Sequence, residues 1–87
     1  MTSNIRIYTT TYCPYCVRAK QLLDKKGLSY QEIDVTNKPD LRQELVQMSG
    51  GRQTVPQIFF GDRHIGGCDD LYELERTGEL DKLIANS

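Results

Sequence analysis

Hydrophobic residues recur along the chain with the period of a strand in some segments and with the period of a helix in others. The changes from one period to the other predict where the strands and helices lie. Residues 4–9 alternate apolar and polar side chains and are rich in β-branched types, which is typical of a strand. From Pro14 onward apolar residues recur with a helical period, and Gly27 is placed to end that helix in a left-handed conformation. Residues 30–35 are predicted as a second strand. A crossover through a helix makes these two strands parallel.

The second half of the chain predicts a helix, a hairpin and a further helix. The helix opens near Pro39, a residue favoured in the first turn, and ends at Gly50-Gly51. Its apolar positions, Leu41, Leu45 and Met48, share one face. Two short strands, residues 57–60 and 63–65, flank Gly61-Asp62, which is a signal for a type II′ turn and an antiparallel pair.

The predicted fold is therefore α/β, with a four-stranded mixed sheet flanked by helices. Residues 68–77 read as the third helix, and Leu80, Leu83 and Ile84 indicate a short C-terminal one. The element order is β-α-β-α-β-β-α, followed by that short helix.

Length and charge limit the classes of function that the chain can have. It has 87 residues, so we expect a single domain over residues 1–87. Charged residues make up 26% of the chain with a net charge of −1, and no basic run resembles that of a nucleic-acid binder. Residues 1–12 lack the features of a signal peptide, and no apolar run is long enough to span a bilayer. We expect a monomeric cytoplasmic protein without nucleic-acid or membrane partners.

The segment Cys13-Pro14-Tyr15-Cys16 carries the candidate chemistry. Pro14 suits the first helical turn, which makes Cys13 the N-cap and points the amides of Tyr15 and Cys16 at its sulfur. Cysteines in such motifs have pKa values of roughly 3.5–7.5, against about 8.5 for a free thiol. Cys16 lies one turn deeper and is predicted to be the resolving thiol.

A structural disulfide and half of a zinc site are the alternatives for this pair. Zinc would need two more ligands, which Cys68 and His64 could supply, but the spacing is not that of common zinc modules. A structural disulfide is disfavoured by a reducing compartment and by the short loop it would close. Redox catalysis is favoured, with no metal ligands.

His64 is predicted to lie on an edge strand, face solvent and have no catalytic role.

Three motifs together resemble a dithiol glutaredoxin of the small bacterial type, and they cover nearly the whole chain. They are residues 11–16, TYCPYC, residues 54–59, TVPQIF, and residues 66–71, GGCDDL. The resemblance implies a thioredoxin-like fold and a glutathione-dependent thiol–disulfide oxidoreductase acting on protein disulfides and glutathione mixed disulfides. Glutathione is then a co-substrate, no cofactor is tightly bound, and the partners are glutathionylated or disulfide-containing proteins.

The resemblance also implies a glutathione site. A cis peptide before Pro56 leaves the Val55 backbone free to pair with the tripeptide as if it were an added strand. Amides at the start of the third helix bind a carboxylate, and Asp69 and Asp70 bind the ammonium group. The implied glutathione ligands are Tyr15, Arg52, Gln53, Thr54, Val55, Pro56, Gly67, Cys68, Asp69 and Asp70. Cys13 and Cys16 are the implied catalytic residues.

One position departs from the family pattern. The family typically has a lysine three residues before the first cysteine, where this chain has Thr10, so Arg52 and Gln53 are the candidates for the glycyl carboxylate. Without the resemblance, Pro56 is expected to be a trans proline that starts an edge strand. Asp69 and Asp70 then only complement the dipole of the third helix, and Arg52 is a solvated charge in a loop.

Two other classes of function stay open from the sequence. In one, two subunits carry a [2Fe–2S] cluster through the Cys13 of each and two glutathione thiolates. Pro14 argues against it, because relatives that carry clusters usually have Gly or Ser at this position. In the other, the chain binds glutathione without turnover.

Overall fold

Four strands and four helices follow one another in the predicted order. The computed structural model describes residues 4–85, so residues 1–3 and 86–87 of the predicted domain lie outside the described residues. The elements are β1 Ile5–Thr9, α1 Pro14–Lys25, β2 Gln31–Asp34, α2 Pro39–Met48, β3 Gln57–Phe60, β4 Arg63–Gly66, α3 Cys68–Thr77 and α4 Glu79–Ala85. They confirm the predicted α/β architecture.

The sheet is mixed and has the strand order β2-β1-β3-β4. β1 pairs with β2 in parallel and with β3 antiparallel, so Tyr8 lies between Ile33 and Gln57. β3 and β4 form the predicted hairpin. Gly61 has a φ of +60° and no described non-glycine residue has a positive φ, which is the pattern that a type II′ turn requires.

Alternation along the strands sends side chains to both faces of the sheet. One face packs against α1, α3 and α4 in a core of Ile5, Ile7, Ala19, Leu22, Leu23, Ile58, Phe60, Cys68, Leu71 and Leu80. The other face packs against α2 through Tyr8, Val35, Leu45 and Phe59. Because both faces are covered, the sheet holds the loops at its end in fixed positions. None of the helices in residues 4–85 is long and apolar enough to cross a membrane.

Candidate active site

Cys13 and Cys16 lie at the start of α1 and differ in accessibility. Cys13 is the N-cap, with an extended backbone at φ −145° and ψ 97°, and Pro14 is the first helical residue. The two cysteines form a disulfide with a Cα–Cα distance of 5.2 Å. Cys13 is half-buried, whereas Cys16 is only 1% exposed. An attacking group can therefore approach only the Cys13 side of the pair.

The backbone at the helix start directs one amide at Cys13. The N–H of Cys16 donates to Cys13 Sγ over 3.1 Å. We predicted the same of the Tyr15 N–H, but among the described residues only the Cys16 N–H makes this hydrogen bond. This hydrogen bond and the positive end of the helix dipole both stabilise negative charge on the sulfur once the disulfide is reduced.

The loop before β3 lies directly beside the disulfide. The Val55–Pro56 peptide is cis, as the resemblance implied, and the trans alternative is wrong. The carbonyl oxygen of Val55 is 3.7 Å from Cys13 Sγ. Pro56 is buried and Val55 half-buried, and in the part of the chain that the structure describes the Val55 N–H makes no hydrogen bond. Its backbone is available to a ligand next to the reactive sulfur.

A groove of about 220 Å³ opens from this loop. Its lining contains nine of the ten residues implied as glutathione ligands, namely Tyr15, Arg52, Thr54, Val55, Pro56, Gly67, Cys68, Asp69 and Asp70. Gln53 is not among them. Its side chain is exposed and its carbonyl accepts a hydrogen bond from Arg42 Nη2 over 3.2 Å. Residues far apart in the sequence thus meet in one groove.

A charged pair spans one end of the groove. Arg52 Nη1 lies 2.9 Å from Asp70 Oδ2, which also accepts from the N–H of Gly67 over 2.9 Å. The Gly67 N–H and the Arg52 guanidinium hold the pKa of Asp70 below its usual range. Both side chains of the pair are nearly half exposed, and exposed pairs contribute only about 0–1 kcal/mol. A ligand with its own charges can therefore replace this pair at low cost.

Close packing behind the charged pair depends on a glycine. Gly66 has a φ of +123°, and a Cβ atom there would overlap the Asp70 carboxylate. Only glycine at this position allows the carboxylate to reach back to the N–H of Gly67, the N-cap of α3.

Two further groove residues differ sharply in their exposure. Cys68 is 4% exposed, and burial raises the pKa of its thiol. It is therefore a protonated wall residue and not a nucleophile. Asp69 is exposed in the first turn of α3, where a carboxylate complements the helix dipole.

The prediction that His64 faces solvent was wrong. Its ring is half-buried against Phe59, with ring centroids 5.0 Å apart, and its Nε2 lies 2.7 Å from Gln57 Oε1. Burial and the positive charge of Arg52 lower the pKa of His64. The ring lies inward because the buried Gln57 amide, on the neighbouring strand, needs a hydrogen-bond partner, and His64 provides it.

Sequence reasoning missed two side chains that hold the loop in front of the groove. Gln57 is fully buried, and its Nε2 donates to the Thr54 carbonyl over 3.0 Å. Ser49 is 4% exposed, and its Oγ lies 3.1 Å from the Arg52 carbonyl. The available signal was a glutamine at the start of the otherwise apolar strand of residues 57–60. Nothing comparable marks Ser49.

Comparisons with known proteins agree with this geometry. The Glutaredoxin family model matches residues 5–65. Glutaredoxin of Pseudomonas aeruginosa is 58% identical over 79 residues, which cover 91% of this chain and 93% of that protein. The solution structure of glutaredoxin from Brucella melitensis has a TM-score of 0.84 at 53% identity and covers 95% of this chain and 89% of that one. The crystal structure of a buckwheat glutaredoxin–glutathione complex has a TM-score of 0.87 at 37% identity, with coverages of 97% and 78%.

The family match covers Cys13, Cys16, the cis-proline loop and β3, and with them five of the nine residues that line the groove. The other four, at the start of α3, lie beyond residue 65. Glutaredoxins are glutathione-dependent thiol–disulfide oxidoreductases. A matched family model and relatives that are more than half identical over nearly the full chain establish that this protein belongs to the glutaredoxin family.

Proposed function

We propose that this chain uses glutathione to reduce both glutathione mixed disulfides and protein disulfides, as a monomer with one domain over residues 1–87. The observation that carries the proposal is the groove, which runs from Val55, whose carbonyl oxygen lies 3.7 Å from Cys13 Sγ, to the charged pair at the start of α3. The related buckwheat protein, 37% identical, is described as a complex with glutathione. The cytoplasm, where thiols are kept reduced, suits such a reaction.

The polar groups of the groove match those of the tripeptide. Glutathione has two carboxylates, one ammonium group and an extended backbone between them. The free N–H and the carbonyl of Val55 pair with that backbone as an added strand would. The guanidinium of Arg52 binds one carboxylate, while Asp70 and the amides at the start of α3 bind the charged γ-glutamyl end. Binding opens the Arg52–Asp70 pair and gives each side chain a ligand partner.

The shorter of the two reactions needs only Cys13. Its thiolate attacks the glutathionyl sulfur of the mixed disulfide, a new S–S bond forms to Cys13, and the substrate leaves as a thiolate that takes a proton. A second glutathione thiolate then attacks the glutathionyl sulfur on Cys13. Glutathione disulfide leaves, and the Cys13 thiolate is restored beside the Cys16 amide.

The longer reaction uses both thiols on a protein disulfide. Cys13 attacks one sulfur and releases the other as a thiolate, and Cys16 then attacks Cys13 to free the reduced substrate. The product is the Cys13–Cys16 disulfide, the form that the structure describes. Two glutathione molecules reduce it again and leave as glutathione disulfide.

A matched pair of substrates tests the use of the groove. One peptide is prepared with its cysteine linked either to glutathione or to free cysteine, so the disulfide is the same and only the groove contacts differ. We expect kcat/KM to be at least about tenfold higher for the glutathionyl form, since it adds several charged hydrogen bonds. Turnover is followed through reduction of the glutathione disulfide by its reductase. Equal kcat/KM values for the two substrates would contradict the proposal.

Two arginine variants provide the matched control for this preference. Arg52→Gln removes a cation from the groove. We therefore expect the ratio of kcat/KM for the glutathionyl peptide to kcat/KM for the cysteinyl peptide to fall by roughly threefold to tenfold. Arg76→Gln also removes an exposed arginine that is paired with a carboxylate, Glu73, but it lies outside the groove lining. It is expected to keep the wild-type preference. A similar loss in both variants would mean that net charge, and not the groove contact, is responsible.

Carriage of a [2Fe–2S] cluster by a dimer stays a prediction from the sequence, with Pro14 against it. No contact of the described residues favours it over the reductase.

A further inference from the structure

A chain of three polar groups runs from the edge of the sheet to the wall of the groove. Gln57 Nε2 donates to the Thr54 carbonyl over 3.0 Å and lies 3.3 Å from Thr54 Oγ1. Gln57 Oε1 is 2.7 Å from His64 Nε2. Gln57 is completely buried, so all of its hydrogen bonds must be made within the protein.

The chemistry of the three groups determines which of them donates and which accepts in each of these hydrogen bonds. A backbone carbonyl only accepts, so the amide nitrogen of Gln57 must face Thr54. The amide oxygen then faces His64, whose Nε2 must carry the proton and donate it. The Thr54 carbonyl thus sets the orientation of the Gln57 amide, and the His64 N–H satisfies the amide oxygen and holds the amide in that orientation.

The Thr54 carbonyl shares a peptide plane with the N–H of Val55. The Val55–Pro56 peptide is the cis one among the described residues, so the Thr54–Val55 peptide is trans and its C=O and N–H point in opposite directions. With the carbonyl held at Gln57, the Val55 N–H points away from the core. Val55 lines the groove, and its N–H makes no hydrogen bond within residues 4–85.

We propose that Gln57 and His64 are positioning residues, which lock the Thr54–Val55 peptide so that the Val55 N–H faces the bound substrate. The inference rests on the proposed glutathione groove. Without the lock, this peptide can rotate and turn its carbonyl toward the groove, where it repels the substrate carbonyl that the N–H is placed to bind. The lock thus acts on substrate binding and not on the reactivity of Cys13.

Two substitutions of His64 separate hydrogen bonding from ring packing. His64→Phe keeps a ring against Phe59 and removes the donor, and we expect KM for the glutathionylated peptide to rise roughly fivefold with kcat little changed. His64→Gln removes the ring and keeps a donor nitrogen at a similar reach, so KM is expected to stay within about twofold of wild type. Gln57→Leu removes the whole chain of bonds and is expected to raise KM roughly tenfold.

The alkylation rate of reduced Cys13 by iodoacetamide is the second readout. It is expected to match wild type in all three variants, because the Cys16 amide and the start of α1 are untouched. The inference is overturned if His64→Phe leaves KM unchanged, or if His64→Gln raises it as much as His64→Phe does. If Gln57→Leu does not fold, this His64 pair decides the question. If the wild-type protein itself shows no preference for the glutathionyl substrate, that is a different result, and it overturns the proposed function.

Discussion

Cys13→Ser lowers the turnover of glutathione mixed disulfides and of protein disulfides by roughly a thousandfold or more, the scale expected for loss of a nucleophile. A serine hydroxyl does not ionise near neutral pH, so the attacking thiolate is lost from both reactions. The other two cysteines cannot replace it, because Cys16 is 1% exposed and Cys68 4% exposed. The measurement is steady-state turnover of both substrates with glutathione and its reductase.

The fold is expected to survive this change. Cys13 is a half-buried N-cap, and serine is among the preferred residues at that position. A far-UV circular dichroism spectrum and a urea midpoint close to wild type show that the loss is chemical. Full activity of the variant on either substrate would refute the assignment of Cys13 as nucleophile.

Cys16→Ser is the matching substitution at the second cysteine, and it is expected to affect the rates of the two reactions differently. The mixed-disulfide reaction needs only Cys13, so its kcat/KM is expected to remain within roughly threefold of wild type. Reduction of a protein disulfide needs the resolving thiol and is expected to fall by roughly a hundredfold or more. The two rates are measured on one glutathionylated peptide and one disulfide-bonded protein.

Stability must be measured beside activity for this second variant. The Cys16 side chain is buried, and a hydroxyl there without a full set of partners costs about 1–3 kcal/mol of unfolding free energy. Assays are therefore made below the unfolding transition. If the mixed-disulfide rate falls as far as it does in Cys13→Ser, the two cysteines do not have separate roles.

The elements of the fold could be predicted because their signals are local. Helix α3 spans Cys68–Thr77, the same bounds that the apolar period and the preceding glycines predicted. Strand β2 is shorter than predicted, Gln31–Asp34 against residues 30–35, because its pairing with β1 begins at Arg6–Gln31 and ends at Thr9–Asp34. Period and turn residues depend only on neighbours along the chain, and the structure preserves them.

The parts that could not be predicted depend on contacts across the sheet. A β-bulge at Ile58/Phe59 shifts the register of the hairpin, and His64 lies against Phe59 and the buried Gln57 amide. Alternation along an edge strand carries no information about that partner. The cis bond before Pro56 followed only from the family resemblance, since most X-Pro bonds are trans.

The most direct test of the central claim is to identify the species that Cys13 forms. Reduced Cys16→Ser is mixed with the glutathionylated peptide, quenched with acid, and examined by intact and peptide-level mass spectrometry. Without the resolving thiol the first intermediate accumulates. Attack at the glutathionyl sulfur, oriented by the groove, predicts one glutathionyl group on Cys13 and release of the free peptide. An adduct of the peptide itself on Cys13, or a glutathionyl group found on Cys68, would contradict it.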